Sequence, residues 1–294
     1  MSRNRTTVPT SFPLLKLLLG SVCISFSPIF IKLADVSPDS AGFYRMLFAS
    51  IALSVLMAFR GENLKMAQRP RFLLWLGGIF LAIDFMCWHR SIELVGPGLS
   101  TLLGNFQVFF TALFSWLFLK QKISKMFILA IIMALCGLLF ITGVDWESLA
   151  GGYKLGIVLG LVTAVFYSFY ILLVKTSMND CSVNSVPAML MVSIPGALLL
   201  GVVTPFNGAS FVIPDSTSLF ALIGVGVIST TIGWSLISSA IKHIPATVAG
   251  LVLLLQPTLA LIWDTLFFGR PTGGIEVFGI LLILSAIYIG SYRK

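Results

Sequence analysis

Two acids stand inside apolar stretches of this chain: Asp84 within residues 81–88 and Asp264 within residues 259–268. An ionised side chain at membrane depth costs at least about 2.5–3.5 kcal/mol on insertion scales, so such groups face a protein interior or a wet cavity. Two readings fit Asp84. It is a hydrogen-bonded packing group, or it is an acid that binds a substrate amine or couples protons; the second is the working expectation. Asp264 lies nearer one end of its stretch, where placement at the membrane interface competes with a cavity role. Helical spacing sets Trp88 and Ser91 on the face of Asp84. The same spacing stripes Gln107, Thr111 and Ser115, then Gln256, Ala260 and Asp264, and puts Tyr167 one turn from Tyr170. Thr231, Ser235, Ser238 and Ser239 line a further face beside Trp234. Each Gln amide can both donate and accept, which suits a zwitterionic or amide-bearing ligand. The small hydroxyls serve helix packing as readily as a ligand.

The expected binding set is therefore Asp84, Trp88, Gln107, Tyr167, Tyr170, Trp234 and Gln256. Proton coupling or gating falls to Asp84, Asp264, His89 and Arg45. His89 is a pH-responsive candidate, with a solvated interfacial imidazole as the competing reading. Arg45 either snorkels to headgroups or takes part in a gate or anion contact. Catalysis has no footing, since no HExxH, GxSxG or Walker A pattern occurs in a workable context. The four cysteines, Cys23, Cys87, Cys136 and Cys181, form no CxxC pair and read as free small hydrophobes. No metal or cofactor is expected.

The elements that must hold these residues are transmembrane helices. The 294-residue chain is 57% hydrophobic and 10% charged, against roughly 25% charged in soluble domains, and its mean hydropathy is +1.01. Ten apolar segments can be cut at Pro, Gly and charge signals: 13–34, 38–59, 71–93, 98–118, 124–143, 153–175, 183–206, 217–240, 246–268 and 274–291. The first reads as an uncleaved signal anchor. With the N-terminus inside, 14 of the 19 Lys and Arg fall on the cytoplasmic side and 5 outside, a positive-inside bias that puts both termini in the cytoplasm. The net charge of +8 is thereby accounted for without nucleic acid. Trp75 and Trp146 read as interface anchors.

A shift of 149 residues brings 91–122 onto 240–271, with Gln107 on Gln256 and the break at Gly96-Pro97 beside Pro245. Five spans per half make the repeat inverted, an architecture of secondary transporters with a midplane site between the halves. The expected fold is all-α, ten spans as two inverted five-helix repeats, 1–143 and 153–294.

Ser27-Pro-Ile-Phe-Ile-Lys-Leu33, Phe43-Tyr-Arg-Met46 and the paired stretches 107–123 and 256–272 resemble the EamA family of the drug/metabolite transporter superfamily. The resemblance covers nearly the whole chain. It implies ten spans, two EamA-type halves and movement of a small-molecule metabolite. The family's Gly-Glu after the fourth and ninth spans is replaced by Lys120-Gln121 and Gly269-Arg270, which puts a role for that Glu in doubt. The function expected is alternating-access export of amino acids or related metabolites across a bacterial inner membrane, with proton coupling and a homodimer as further expectations. Uptake of a vitamin- or nucleotide-like metabolite is the alternative. An intramembrane enzyme or a receptor is disfavoured by the inverted repeat.

Overall fold

Helix starts and stops follow local chemistry. Ser37 accepts from the Ser40 N–H at 3.2 Å, with Pro38 and Asp39 in the first turn of the helix it opens. These are the residue types an N-terminus favours. Asp215 caps a second helix by accepting from Ser218 N–H at 2.7 Å. Gly96 turns the chain at φ +86°, a conformation that suits glycine, and Pro97 begins the next helix.

The computed structural model describes residues 11–119, 125–142, 150–178, 183–240, 243–244 and 252–291. Among them the fold is entirely helical: α1 (Ser11–Ser25), α2 (Ser27–Leu33), α3 (Pro38–Phe59), α4 (Gln68–Val95), α5 (Pro97–Gly104), α6 (Gln107–Leu119), α7 (Lys125–Thr142), α8 (Gly151–Met178), α9 (Ser185–Phe206), α10 (Ser216–Ile223), a π-helical segment (Gly224–Gly233), α11 (Trp234–Ala240), α12 (Leu255–Phe268) and α13 (Gly274–Ser291). The interface anchor expected at Trp146 and the break expected at Pro245, and the residues Lys120, Gln121, Asn179, Asp180, Cys181, Lys242, Arg293 and Lys294, lie outside the described residues.

Among the described residues, seven helices are long and apolar enough to cross a membrane, counting Phe12–Leu33, Pro97–Phe118 and Ser216–Ala240 as continuous runs. Two more apolar helices, Lys125–Ile141 and Gly274–Ile289, are shorter. The surface is inverted relative to a soluble protein. Leu135, Leu139, Phe220, Leu266, Phe278 and Leu281 face outward, while serines and threonines are buried. Many of the latter bond back to a carbonyl four residues earlier, as Ser168, Ser193 and Thr204 do. These are the traits of a multi-pass membrane protein.

Packing is tightest where glycine removes a side chain. A Cβ on Gly78 of α4 would lie 2.2 Å from the Val192 carbonyl oxygen of α9, so these two backbones are nearly in contact. Gly137 and Gly279 do the same for α7 and α13.

Among the described residues, four expected spans are not continuous α-helices, the ninth turning at Leu254. Phe12–Leu33 breaks at Phe26, because Pro28 has no N–H for the Ile24 carbonyl. Pro97–Phe118 breaks at Asn105, whose side-chain amide takes the Thr101 carbonyl at 2.8 Å. Bonds to the third residue back then run through Phe106 and Phe109. In the eighth span the π segment is held by Thr230 and Thr231, whose hydroxyls bond the carbonyls of Val225 and Gly226, five residues earlier. A Cβ on Gly226 would meet Phe48 Cβ at 2.6 Å, so the segment lies hard against α3.

Candidate functional site

The irregular segments converge on one cavity. It measures about 120 Å³ as the space in which the centre of a water molecule can move, enough for several waters or a small solute. Ile24, Ser27 and Pro28 come from the break between α1 and α2. Thr101, Gly104, Asn105 and Gln107 surround the break between α5 and α6. Thr230 and Trp234 come from the π segment and its exit, and Gln256 from the first turn of α12. Arg45 and Met46 on α3, Leu81, Asp84, Phe85 and Trp88 on α4, Thr163, Tyr167 and Tyr170 on α8, and Met189 and Ser193 on α9 complete the wall.

Arg45 is 5% exposed and Asp84 4%. Arg45 Nε donates to Thr230 Oγ1 at 3.1 Å, and its guanidinium lies 4.0 Å from the Phe85 ring centre and 5.4 Å from that of Trp88. Its Nη1 has no hydrogen-bond partner, and neither has Asp84 Oδ1. The two side chains form no ion pair within 4 Å among those found in the described residues. Thr163 donates to the Asp84 carbonyl at 3.2 Å, which ties α8 to α4 at this level. Gln107 Oε1 accepts from Thr111 at 3.2 Å, and the Gln107 carbonyl accepts from Ser168 at 3.0 Å. The Tyr167 and Tyr170 rings stack at 5.4 Å, and the Tyr170 hydroxyl points to Met189 Sδ at 3.6 Å.

The structure thus gathers Asp84, Trp88, Gln107, Tyr167, Tyr170, Trp234, Gln256 and Arg45 around one space. Arg45 does not snorkel; it is buried because its helix faces the π segment. Two expected residues lie elsewhere. His89 is fully buried, and its Nδ1 donates to the Pro38 carbonyl at 2.9 Å. It is not a solvated interfacial group and does not line the cavity. Asp264 is 2% exposed; its Oδ2 accepts from the Gly98 N–H at 2.8 Å and sits 3.6 Å from Arg270 Nη1, while Arg270 also pairs with Glu276. Ser91, grouped with Asp84 by spacing, instead donates to the Gly156 carbonyl at 2.8 Å.

The sequence reading missed Asn105, Thr163 and Thr230 in the wall. The Gly104-Asn105 pair and the glycines at 224, 226 and 233 were the available signals. It also missed a polar latch. Asp39 accepts two bonds from Arg90, both at 2.7 Å, and one from Asn207 at 2.7 Å. Nearby, Ser40 donates to the Ser210 carbonyl and Tyr44 to that of Phe211.

The pattern of a single protein family matches twice, over residues 11–143 and 154–292. The chain belongs to the EamA-like transporter family. Among curated proteins it is 23% identical over 283 residues to the pseudopaline exporter CntI of Pseudomonas aeruginosa, covering 94% of this chain and 95% of that one. It is 19% identical to the uncharacterized transporter YxxF of Bacillus subtilis, covering 97% and 91%. It is 23% identical to the uncharacterized inner membrane transporter YhbE of Escherichia coli, covering 86% and 83%. A solved crystal structure shares the fold at a TM-score of 0.66 and 16% identity, covering 95% of this chain and 96% of its own.

Proposed function

We propose that this EamA-like protein is a secondary transporter that exports amino acids or related small metabolites across a bacterial inner membrane by alternating access. The observation that carries the reading is the cavity itself. It is buried among apolar helices, yet it holds an arginine and an aspartate that each keep an unsatisfied atom. A purely structural pair would close on itself, because a buried polar atom without a partner is costly.

Ten spans, arranged as inverted halves over 1–143 and 153–294, suit this reading. The helix irregularity at Asn105 and the turn at Leu254 lie 149 residues apart, as do Gln107 and Gln256, and the family pattern recurs once per half. One group of contacts between the halves lies at one end, Asp39 with Asn207, Ser40 with Ser210, Tyr44 with Phe211 and Gly98 with Asp264, while others run along the bundle to Ser177 with Pro70. On the positive-inside expectation this group faces outward, at an end where a rocking transporter would make and break contacts. Proton coupling falls to Asp84, the buried acid in the cavity. Export rather than uptake is favoured by the relative named as a pseudopaline exporter.

The test is flux of a labelled metabolite panel in proteoliposomes. The expected result is transport that Asp84→Asn and Gln256→Ala abolish while the variants still elute as folded protein, and that collapse of the pH gradient slows. Unchanged flux in both variants overturns the cavity assignment, and no flux of any compound overturns transport.

A further inference from the structure

We propose that the solute held in this cavity is a zwitterion, with its carboxylate on Arg45 and its ammonium on Asp84. The inference rests on the transport reading and narrows it to a charge class with a named contact for each charge.

Arg45 and Asp84 are the charged side chains that line the cavity among the described residues. The groups facing them are uncharged hydroxyls, amides and rings: Thr230 on the π segment, Tyr167 and Tyr170 on α8, Gln107 and Gln256. With Asp84 ionised, the wall carries one charge of each sign and no net charge. A solute bearing a single charge would satisfy one of these residues and leave the other buried with nothing to balance it, which is the costly arrangement for a desolvated ion. A neutral solute would leave the two charges to offset each other at a distance, with neither Nη1 nor Oδ1 bonded to an opposite charge. A zwitterion answers both at once and adds no net charge.

The geometry of each residue agrees. Arg45 is immobilised from behind: Nε is spent on Thr230 at 3.1 Å, and the guanidinium plane is held against Phe85 at 4.0 Å. This leaves the outer edge of the fork, including the unpartnered Nη1, for the two oxygens of a carboxylate, the geometry guanidinium favours. Asp84 offers the unpartnered Oδ1 as an acceptor for ammonium. Because no Arg45 guanidinium nitrogen lies within 4 Å of an Asp84 carboxylate oxygen, a ligand that carries both charges on neighbouring carbons can bridge them. Trp88, Trp234 and the stacked Tyr167 and Tyr170 then surround the rest of the molecule, which calls for an apolar or aromatic substituent.

The test uses the purified full chain in nanodiscs and reads the ligand-induced rise in unfolding temperature. The probes are matched sets. One set is L-phenylalanine, phenethylamine and 3-phenylpropionate. A second is L-leucine, isoamylamine and 4-methylvalerate, and glycine, L-glutamate and L-lysine extend the zwitterion series. The expected result is that at least one zwitterion stabilises the protein, with its amine-only and acid-only partners at least about 100-fold weaker, as for a site whose buried polar groups go unpaired. Arg45→Met should bind the amine-only analogue as well as the zwitterion, and Asp84→Asn should do the same for the acid-only analogue. If either variant fails to fold, the analogue comparison on the parent chain decides alone. Analogues lacking one charge that bind as well as the zwitterion overturn the inference. So does the absence of a shift with every zwitterion while proteoliposomes carry another solute, a result that leaves transport standing. Absence of any flux removes the transport reading instead.

Discussion

Asp39→Asn tests whether the latch between the halves holds the structure together. Asp39 is 1% exposed and takes all three of its donors at 2.7 Å, two from Arg90 and one from Asn207. The amide keeps the shape but replaces one acceptor oxygen with a donor, which must then face the N–H groups of Arg90 or Asn207. A buried ion pair broken on one side costs about 3–5 kcal/mol, whereas an exposed pair contributes about 0–1 kcal/mol. The Arg90 side chain is 33% exposed, so its charge regains some water, and the loss from the pair falls between these limits at about 2 kcal/mol. The Asn207 amide is open to solvent and gives up about 0.5–1 kcal/mol more. The expected loss is about 3 kcal/mol, read by unfolding in mixed micelles titrated with a denaturing detergent. Asn207→Ala alone should cost about 1 kcal/mol. The double variant should lose less than the sum by about 0.5 kcal/mol or more, because the two changes share a partner. A stability of Asp39→Asn within about 0.5 kcal/mol of the parent, the range of a neutral surface change, would refute the reasoning, as would strict additivity.

Three further variants probe the scaffold around the cavity. Gly78→Ala pushes a methyl to 2.2 Å from the Val192 carbonyl oxygen; neither backbone can yield cheaply, and the same unfolding titration should show a loss of about 1–3 kcal/mol. Thr230→Val removes the acceptor of Arg45 Nε at nearly constant volume. Loss of a bond to a buried charge costs about 1.5–3 kcal/mol, and if it is felt in the ligand-bound state, affinity by equilibrium binding should drop at least about tenfold. Gly98→Ala places a Cβ 2.9 Å from Leu261 Cα and 3.0 Å from Asp264 Oδ2, so it should destabilise by about 1–3 kcal/mol, while a Gly151→Ala control, whose Cβ meets nothing within 4 Å, should not.

The residues that line the cavity were largely legible in the sequence because lipid penalises polarity. Asp84, Gln107, Gln256 and the tyrosines stand out against an apolar background, and helical spacing faces them inward. What spacing cannot supply is height along the helix axis. Asp264 shares a stripe with Gln256, but eight residues carry it about 12 Å further along the axis, to the turn at Gly98 and out of the cavity. The partner of a charge was equally hidden. Asp39 stands at the start of the second expected span and Arg90 near the end of the third, and their 51-residue separation becomes a contact only once α3 and α4 are packed. Arg45 could not be told from a snorkelling arginine, since its burial depends on a π segment 185 residues away. That segment is itself defined by backbone bonds to the fifth residue back, for which glycine content is a weak signal.

The position of the irregular backbone follows from the same physics as the position of the charges. A carbonyl or N–H released from its helix ladder has no partner in hydrocarbon, so such breaks survive only against protein or a wet cavity. The chain has irregularities at Phe26, at Asn105, through Gly224–Gly233 and at Leu254, and each contributes residues to the one cavity that also holds Arg45 and Asp84. Had these breaks been packing accidents, they would be scattered through the bundle beside whichever helix happened to cover them. Their convergence means that one internal polar environment accommodates released backbone groups and buried charge together. The two charges come from the first half of the chain, whereas the π segment, Trp234 and Gln256 come from the second. The cavity is therefore walled by both halves of the chain.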